Sequence, residues 1–126
     1  MLKSIEYPYA HLHAQLDQGV LTLSIDRAEA KNALNMDLYI NLRQAICEAD
    51  QASEVRVLIL RGVDQDFSAG NDMQSFFQLP ELPQAGQAGS TPPFMLLKAM
   101  AEFSKPCIAA VRGACIGVAN TLLLHF

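Results

Sequence analysis

Two short loops of small residues carry the groups in this chain that are best suited to chemistry. Asp66–Asp72 follows the apolar run Val55–Leu60, and Gly113–Gly117 follows a second apolar run, Cys107–Val111. A strand that ends in such a turn leaves main-chain N–H groups available to a ligand. Two of these turns can direct two N–H groups at one oxygen atom, which is the layout of an oxyanion hole. The spacing therefore predicts a site built from main-chain donors.

Other catalytic and binding chemistries have weaker support. Ser68 is not surrounded by a G-x-S-x-G nucleophile elbow, and neither the G-x-x-x-x-G-K-S/T nor the G-x-G-x-x-G phosphate loop occurs. Asp66 and Asp72 could pair as acid and base, but a carboxylate that opens a helix also caps it, and we favour that structural role. His11 and His13 share one face of a strand without a third metal ligand, which favours solvent-facing side chains.

The composition restricts the class of protein. The chain has 126 residues, of which 51% are hydrophobic and 17% charged, with a net charge of −4. These values fit one globular domain and provide no basic surface for nucleic acid or anionic lipid. Cys47, Cys107 and Cys115 lie in apolar stretches, which predicts buried free thiols and no metal site. Without a signal-peptide core or an apolar run of membrane-spanning length, we expect a cytoplasmic protein with no membrane partner.

Hydrophobic periodicity and turn residues predict the elements that position the two loops. A β-hairpin is expected over residues 11–25, because two alternating segments flank Asp17-Gln18-Gly19. A helix capped by Asn35 should run to about Ala52, with one apolar face. The remaining expected elements are buried strands at Val55–Leu60 and Cys107–Val111, helices at Met73–Leu79 and Phe94–Phe103, a loop at Pro80–Pro93 and a helix starting near Gly117, which puts His125 on a helix surface. This order indicates an α/β fold.

Three ordered blocks resemble one known family. Asp26–Asn35 looks like the stretch after the second strand of the crotonase (enoyl-CoA hydratase/isomerase) superfamily. Phe67–Asp72 resembles its F-C/S-A-G-x-D loop, and Lys105–Gly117 resembles its K-P-x-I-A-A-V-x-G-x-x-x-G segment. The resemblance covers residues 20–126 and implies the start of the ββα spiral. Residues 1–126 would then be the N-terminal part of a single crotonase-like domain.

The resemblance also implies a site for a coenzyme A thioester as substrate, with no further cofactor. The main-chain N–H groups of Asn71 and Val118 would form the oxyanion hole. The loop Ala30-Lys31-Asn32-Ala33 would line the adenine end of coenzyme A, with Ala30 and Ala33 as contacts. Lys31 would lie near a phosphate or, equally well, be a solvated loop lysine. The residues Ser68, Ala69, Gly70, Asp72, Met73 and Gly117 would line the substrate.

One departure from the family pattern narrows the implied reaction. Thr121 stands where the hydratases of the family carry the first of two glutamates, which favours Δ3,Δ2-enoyl-CoA isomerisation with a single base. The resemblance places that base beyond Phe126, so we expect these residues alone to be inactive and the complete protein to be a trimer or hexamer. A hydratase or another crotonase-type enzyme, a non-catalytic acyl-CoA-binding scaffold and an unrelated α/β domain remain alternatives.

Overall fold

A computed structural model of the chain describes residues 2–5, 10–74 and 91–126. Most of the helix expected at Met73–Leu79 and most of the loop expected at Pro80–Pro93 lie outside these residues. Within them, no helix combines the length and the apolar character that crossing a membrane requires.

The strands form one five-stranded sheet in chain order. They are β1 (Leu2–Ile5), β2 (Leu12–Asp17), β3 (Val20–Ile25), β4 (Val57–Gly62) and β5 (Cys107–Ala110). The first three strands pair antiparallel, and β3, β4 and β5 pair parallel. The predicted hairpin is confirmed, since β2 pairs with β3 in register and alternates buried and exposed side chains. The parallel strands end at the same edge of the sheet, so the loops that follow β4 and β5 begin side by side.

Helices that the structure describes over their full length beside the sheet are α1 (Met36–Gln51), α2 (Pro92–Glu102) and α3 (Val118–Leu122). The Asn35 side chain accepts a 2.8 Å hydrogen bond from the main-chain N–H of Leu38 and confirms the predicted cap of α1. Pro92 and Pro93, which the sequence assigned to a loop, are instead the first residues of α2. Proline fits this position because the first N–H groups of a helix have no partner within the helix.

The core lies between α1, α2 and the inward side chains of the sheet. Fully buried residues are Leu21, Leu23, Leu38, Leu42, Leu58, Leu60 and Leu96, with Ala45, Ile46 and Ala49 completing the predicted apolar face of α1. The expectation that β5 is a buried strand is wrong on one face, because Ile108 is 51% exposed. No element of the described parts of the chain packs over that side chain.

The cysteines are free, as predicted, but they are less buried than the sequence indicated. Cys47 is exposed, and Cys107 and Cys115 are partly buried. Cys47 lies on α1 between the buried residues Ile46 and Ala49, and the helical repeat turns it to the solvent side. An apolar stretch therefore did not mean burial at each of its positions.

Candidate functional site

The two loops that the sequence singled out pair with each other along their main chains. The N–H of Phe67 donates to the carbonyl of Arg112 over 2.7 Å, and the N–H of Ser68 donates to the carbonyl of Ala114 over 3.0 Å. The N–H of Ile116 returns a hydrogen bond to the carbonyl of Ser68 over 3.2 Å. The parallel pairing of the sheet thus continues past the ends of β4 and β5 as a bridge between residues 68 and 115.

Gly70 is the point of closest approach between the loops. A Cβ atom at this position would lie 2.5 Å from the carbonyl oxygen of Ile116 and 3.8 Å from the Cα of Gly117. The φ angle of Gly70, +87°, is also one that other residues rarely adopt. Only glycine meets both conditions, and its presence lets the two turns lie in direct contact.

The residues that follow these turns, Asn71 and Val118, each carry an unused main-chain donor. Val118 is the first residue of α3, and Gly117 before it has φ 60° and ψ −123°. The next N–H groups of α3 are satisfied, because Ala119 donates to Ile116 and Asn120 donates to Gly117. Within the described residues, neither the Asn71 nor the Val118 N–H donates a hydrogen bond. The fold therefore brings two N–H groups, neither with an acceptor in the described parts of the chain, to the ends of two adjoining turns.

Ser68 positions these loops through its side chain. It is 1% exposed, and its hydroxyl donates to the Asn32 carbonyl over 2.7 Å and accepts from the Gly70 N–H over 3.1 Å. Its main-chain N–H and carbonyl both pair with the second loop. Every polar group of Ser68 is thus bonded within the protein, so Ser68 shapes the turn and does not present its hydroxyl to a ligand. Ala69 is similarly fixed, since its N–H donates to the Lys31 carbonyl over 3.0 Å.

Asn32 belongs to the loop expected to contact adenine, but the sequence did not identify its buried hydrogen-bonding role. It is 0% exposed, its Oδ1 accepts from the Arg27 N–H over 2.8 Å, and its Nδ2 donates to the carbonyls of Val63 and Asp66 over 3.0 and 2.7 Å. Its φ of 57° is left-handed, which asparagine tolerates better than most residues. That preference was the available signal, but both partners of its Nδ2 lie more than thirty residues away in the chain.

The two aspartates of the first loop have separate partners, which supports the structural role favoured for them. Asp66 Oδ1 accepts a 2.8 Å hydrogen bond from the Ala114 N–H and so joins the two loops. Asp72 forms a 2.6 Å ion pair with Arg27, whose side chain is 17% exposed against 13% for Asp72. Asp72 also accepts from the Gln74 N–H over 2.9 Å, as a residue that caps a helix start does. None of these contacts joins Asp66 to Asp72, so they do not support the pairing of the two as acid and base.

Tyr39 is a second residue that the sequence did not identify. It was unassigned among the buried positions of α1, and it is 0% exposed. Its hydroxyl donates to Asn71 Oδ1. Burial raises the pKa of Tyr39, so its hydroxyl keeps its proton at neutral pH and acts as a donor. The exposed Asn71 side chain is thereby tied to α1.

The loop expected to contact adenine borders an open cavity of about 510 Å³. Lys31 and Arg112 supply positive charge to its lining, and Asp64 and Asp66 supply negative charge. Ala30 is partly buried, and Ala33 is buried with its carbonyl accepting a 3.0 Å hydrogen bond from the Arg27 guanidinium. The Ala33 side chain is therefore part of the core, whereas Lys31 is exposed to a ligand that enters this cavity.

The other candidate side chains lie apart from the two donors or lack reactive character. Thr121 is exposed, and its hydroxyl donates to the Gly117 carbonyl at 3.4 Å. Burial raises the pKa of the Cys115 thiol, which disfavours the nucleophilic thiolate. His13 pairs with Asp26, and both are exposed enough to be solvated. Met73 is 58% exposed beside Asp72 and is open to an apolar group.

Comparisons with known proteins identify the family. The family model of enoyl-CoA hydratase/isomerase matches residues 15–125. The peroxisomal Δ(3,5)-Δ(2,4)-dienoyl-CoA isomerase of Arabidopsis thaliana is 32% identical, with 80% of this chain aligned to 40% of that protein. The crotonyl-CoA hydratase of Syntrophomonas wolfei is also 32% identical, with 86% of this chain aligned to 42% of the hydratase.

Solved structures agree with the fold. A crystal structure described as an enoyl-CoA hydratase/isomerase from Acinetobacter baumannii superposes with a TM-score of 0.89 and 52% identity, covering 94% of this chain and 48% of that one. The chain thus spans less than half the length of these relatives. The crotonase-type fold expected from the sequence is confirmed, and relatives that are isomerases and relatives that are hydratases both match. The chain belongs to the enoyl-CoA hydratase/isomerase family.

Proposed function

We propose that this protein binds an acyl-coenzyme A thioester with the thioester oxygen between the main-chain N–H groups of Asn71 and Val118. The observation that carries the proposal is the contact between the two turns at Gly70, which puts two unused donors on adjoining loop ends. Both donors belong to the main chain, and their loops are joined by the main chain of Ser68 and by the side chain of Asp66. A preorganised pair of donors is what stabilisation of a developing negative charge requires.

The reaction that fits such a site passes through an enolate. Removal of a proton beside the thioester carbonyl places negative charge on the carbonyl oxygen, where both donors strengthen their hydrogen bonds. One well-aimed donor of this kind lowers a barrier by roughly 2.7–4 kcal/mol. The charge disappears again when a proton returns to another carbon, so a stabilised enolate serves isomerisation directly.

We further propose Δ3-to-Δ2 enoyl-CoA isomerisation as the reaction. Moving a proton from C2 to C4 needs one base, whereas adding water needs groups that activate water and protonate carbon. Thr121 on α3 supplies no carboxylate, and its hydroxyl is directed to the Gly117 carbonyl. Asp66 and Asp72 are engaged with Ala114 and Arg27, so neither is poised as the base. Lys31 and Arg112 beside the cavity suit the phosphates of coenzyme A.

A matched pair of ligands tests the binding mode. Octanoyl-CoA carries the thioester oxygen, and S-octyl-CoA carries the same chain on a thioether without it. We expect tighter binding of the thioester by calorimetry, together with slower hydrogen exchange of amides 71 and 118. Equal affinities and unchanged exchange at both amides would refute the proposed site.

Two substrates then separate the candidate activities. Because we expect the base beyond Phe126, this assay uses the complete protein: with 3-hexenoyl-CoA we expect conversion to the conjugated 2-enoyl thioester, which is followed by its ultraviolet absorbance. Hydration of 2-hexenoyl-CoA without conversion of the 3-enoyl substrate would favour the hydratase instead. Binding of the thioester with neither conversion would favour the non-catalytic acyl-CoA-binding alternative.

A further inference from the structure

The main chain around Asn71 is fixed on both sides, but Asn71 itself is held through its side chain. The carbonyl of Gly70 accepts a 2.7 Å hydrogen bond from the Leu34 N–H, and the N–H of Asp72 donates to the Leu34 carbonyl over 2.8 Å. These two contacts hold the planar peptide groups on either side of Asn71, and the hydrogen bond from the Tyr39 hydroxyl to Asn71 Oδ1 is a third anchor, on the side chain. Leu34 thus sets the direction of the Asn71 N–H through the main chain, and a residue of α1 reinforces it through the Asn71 side chain.

Tyr39 is placed to be a rigid anchor. Its own N–H donates to the Asn35 carbonyl over 3.0 Å in the capped first turn of α1, and its side chain is fully buried. A buried hydroxyl without an acceptor is strongly disfavoured, and Asn71 Oδ1 is the acceptor that the described structure gives it. The need to satisfy the Tyr39 hydroxyl thus favours the same loop conformation that holds Asn71 in place.

We propose that Tyr39 is a positioning residue of the site, which helps to hold the Asn71 N–H toward the thioester oxygen by anchoring the Asn71 side chain. This inference rests on the proposed function, because it gives Tyr39 a role only if that N–H binds the oxygen. Tyr39 does not touch the substrate in this role. Its effect passes entirely through Asn71, and it must therefore vanish when the Asn71 side chain is removed.

The Tyr39→Phe variant tests the role, because it keeps the ring in the core and removes only the hydroxyl. We expect the preference for octanoyl-CoA over S-octyl-CoA to fall by about 3- to 10-fold, the range that one modest hydrogen bond supports. Affinity for S-octyl-CoA should stay the same, because that ligand has no oxygen for the donor. A general loosening of the structure would instead lower the affinity for both ligands by the same factor.

A double-mutant cycle isolates the path through Asn71. Asn71→Ala should lower the preference by a similar factor, and Tyr39→Phe in the Asn71→Ala background should lower it no further. Asn41→Ala provides a control on the same helix, since it removes a 3.4 Å hydrogen bond to the Ala10 carbonyl away from the two loops. This control should keep the preference of the unmodified protein.

The outcomes separate the two proposals. If the unmodified protein shows no preference for the thioester, the proposed function fails and the role of Tyr39 fails with it. If the unmodified protein shows the preference and Tyr39→Phe keeps it, only the role of Tyr39 is overturned. Additive losses in the double variant would overturn it as well. If Tyr39→Phe does not fold, Asn71→Ala replaces it as the test, because residue 71 is exposed. An unchanged preference for the thioester in Asn71→Ala would then refute the inference.

Discussion

Replacing Gly70 with alanine is the most direct perturbation of the contact between the two turns. The added Cβ would lie 2.5 Å from the carbonyl oxygen of Ile116, a main-chain atom that no side-chain rotation can move away. The φ angle of +87° would add backbone strain for any residue with a Cβ. We therefore expect the turns to separate and the hydrogen bond between Ile116 and Ser68 to weaken.

Gly117→Ala is a matched control, and the difference between the two variants gives the magnitude. Gly117 also has a positive φ, +60°, but a Cβ there would meet nothing within 4 Å. Backbone strain of roughly 1–3 kcal/mol is then common to both variants. Gly70→Ala carries in addition the loss of one or two loop hydrogen bonds, or about 1–2 kcal/mol. At about 4 °C per kcal/mol for a domain of this size, Gly70→Ala should melt roughly 4–8 °C below Gly117→Ala.

Thermal unfolding followed by circular dichroism measures this difference, and thioester binding at a temperature where both variants are folded measures its consequence. Gly70→Ala should lose the preference for octanoyl-CoA over S-octyl-CoA, because the Asn71 donor moves with the turn. If Gly70→Ala melts at the same temperature as Gly117→Ala or above it, close approach of the turns does not determine the loop geometry. The reasoning behind the site would then be wrong at its first step.

Three further predictions concern other contacts of the described structure. Arg27→Met should destabilise the protein by roughly 2–4 kcal/mol in urea unfolding, because it leaves the Asp72 carboxylate largely buried without its cation. The hydroxyl and N–H of Ser104 lower the pKa of Asp50, so the stability that they contribute is present above the unfolded-state pKa and is lost as pH falls through the folded-state pKa. Asp50→Asn should therefore show a smaller drop in melting temperature between neutral and strongly acidic pH. Cys47 should be the first of the three cysteines alkylated by iodoacetamide, as peptide mass mapping would record.

Each of these has a control within the chain. Lys98→Ala removes a 3.9 Å ion pair to Glu102 between side chains that are 71% and 67% exposed, and it should change stability by less than about 1 kcal/mol. If Arg27→Met also changed stability by less than about 1 kcal/mol, the predicted contribution of the ion pair between Arg27 and Asp72 would be wrong. Ser104→Ala removes the hydroxyl and keeps the N–H, so it should show part of the reduced acid sensitivity of Asp50→Asn, and an unchanged pH profile in both variants would contradict the prediction. Burial raises the pKa of Cys107 to about 11, so faster alkylation of Cys107 would contradict the order expected.

Local patterns were sufficient for much of the fold. The hairpin, the Asn35 cap and the start of α3 after Gly117 each depend on signals within a few residues, such as turn chemistry, helical spacing and a capping side chain. The choice of the two loops also followed from local sequence, because small residues after an apolar strand mark a turn. Their assignment to one site needed the family resemblance, since nothing local says that two loops more than forty residues apart will pair.

The parts that sequence reasoning missed depend on distant contacts. Asn32 and Tyr39 make their decisive hydrogen bonds to residues 34 and 32 positions away, and neither has a local feature that announces a partner. Ser68 was expected to line the substrate, yet its hydroxyl is bonded on both sides within the protein. The exposure of Ile108 was also missed, because an apolar run predicts a strand but does not show whether another element packs over it.

The main-chain N–H of Val118 affects how substitutions at residue 118 should be interpreted. The atom in question belongs to the main chain, so nineteen of the twenty residue types would display it equally well at that position. A scan of substitutions at residue 118 would therefore score it as tolerant, subject only to packing of its partly buried side chain. Proline is the exception, and it suits the first position of a helix, where Val118 lies. Val118→Pro would thus replace the N–H of the site with a ring carbon and exchange the valine side chain, at a helix position that accepts proline.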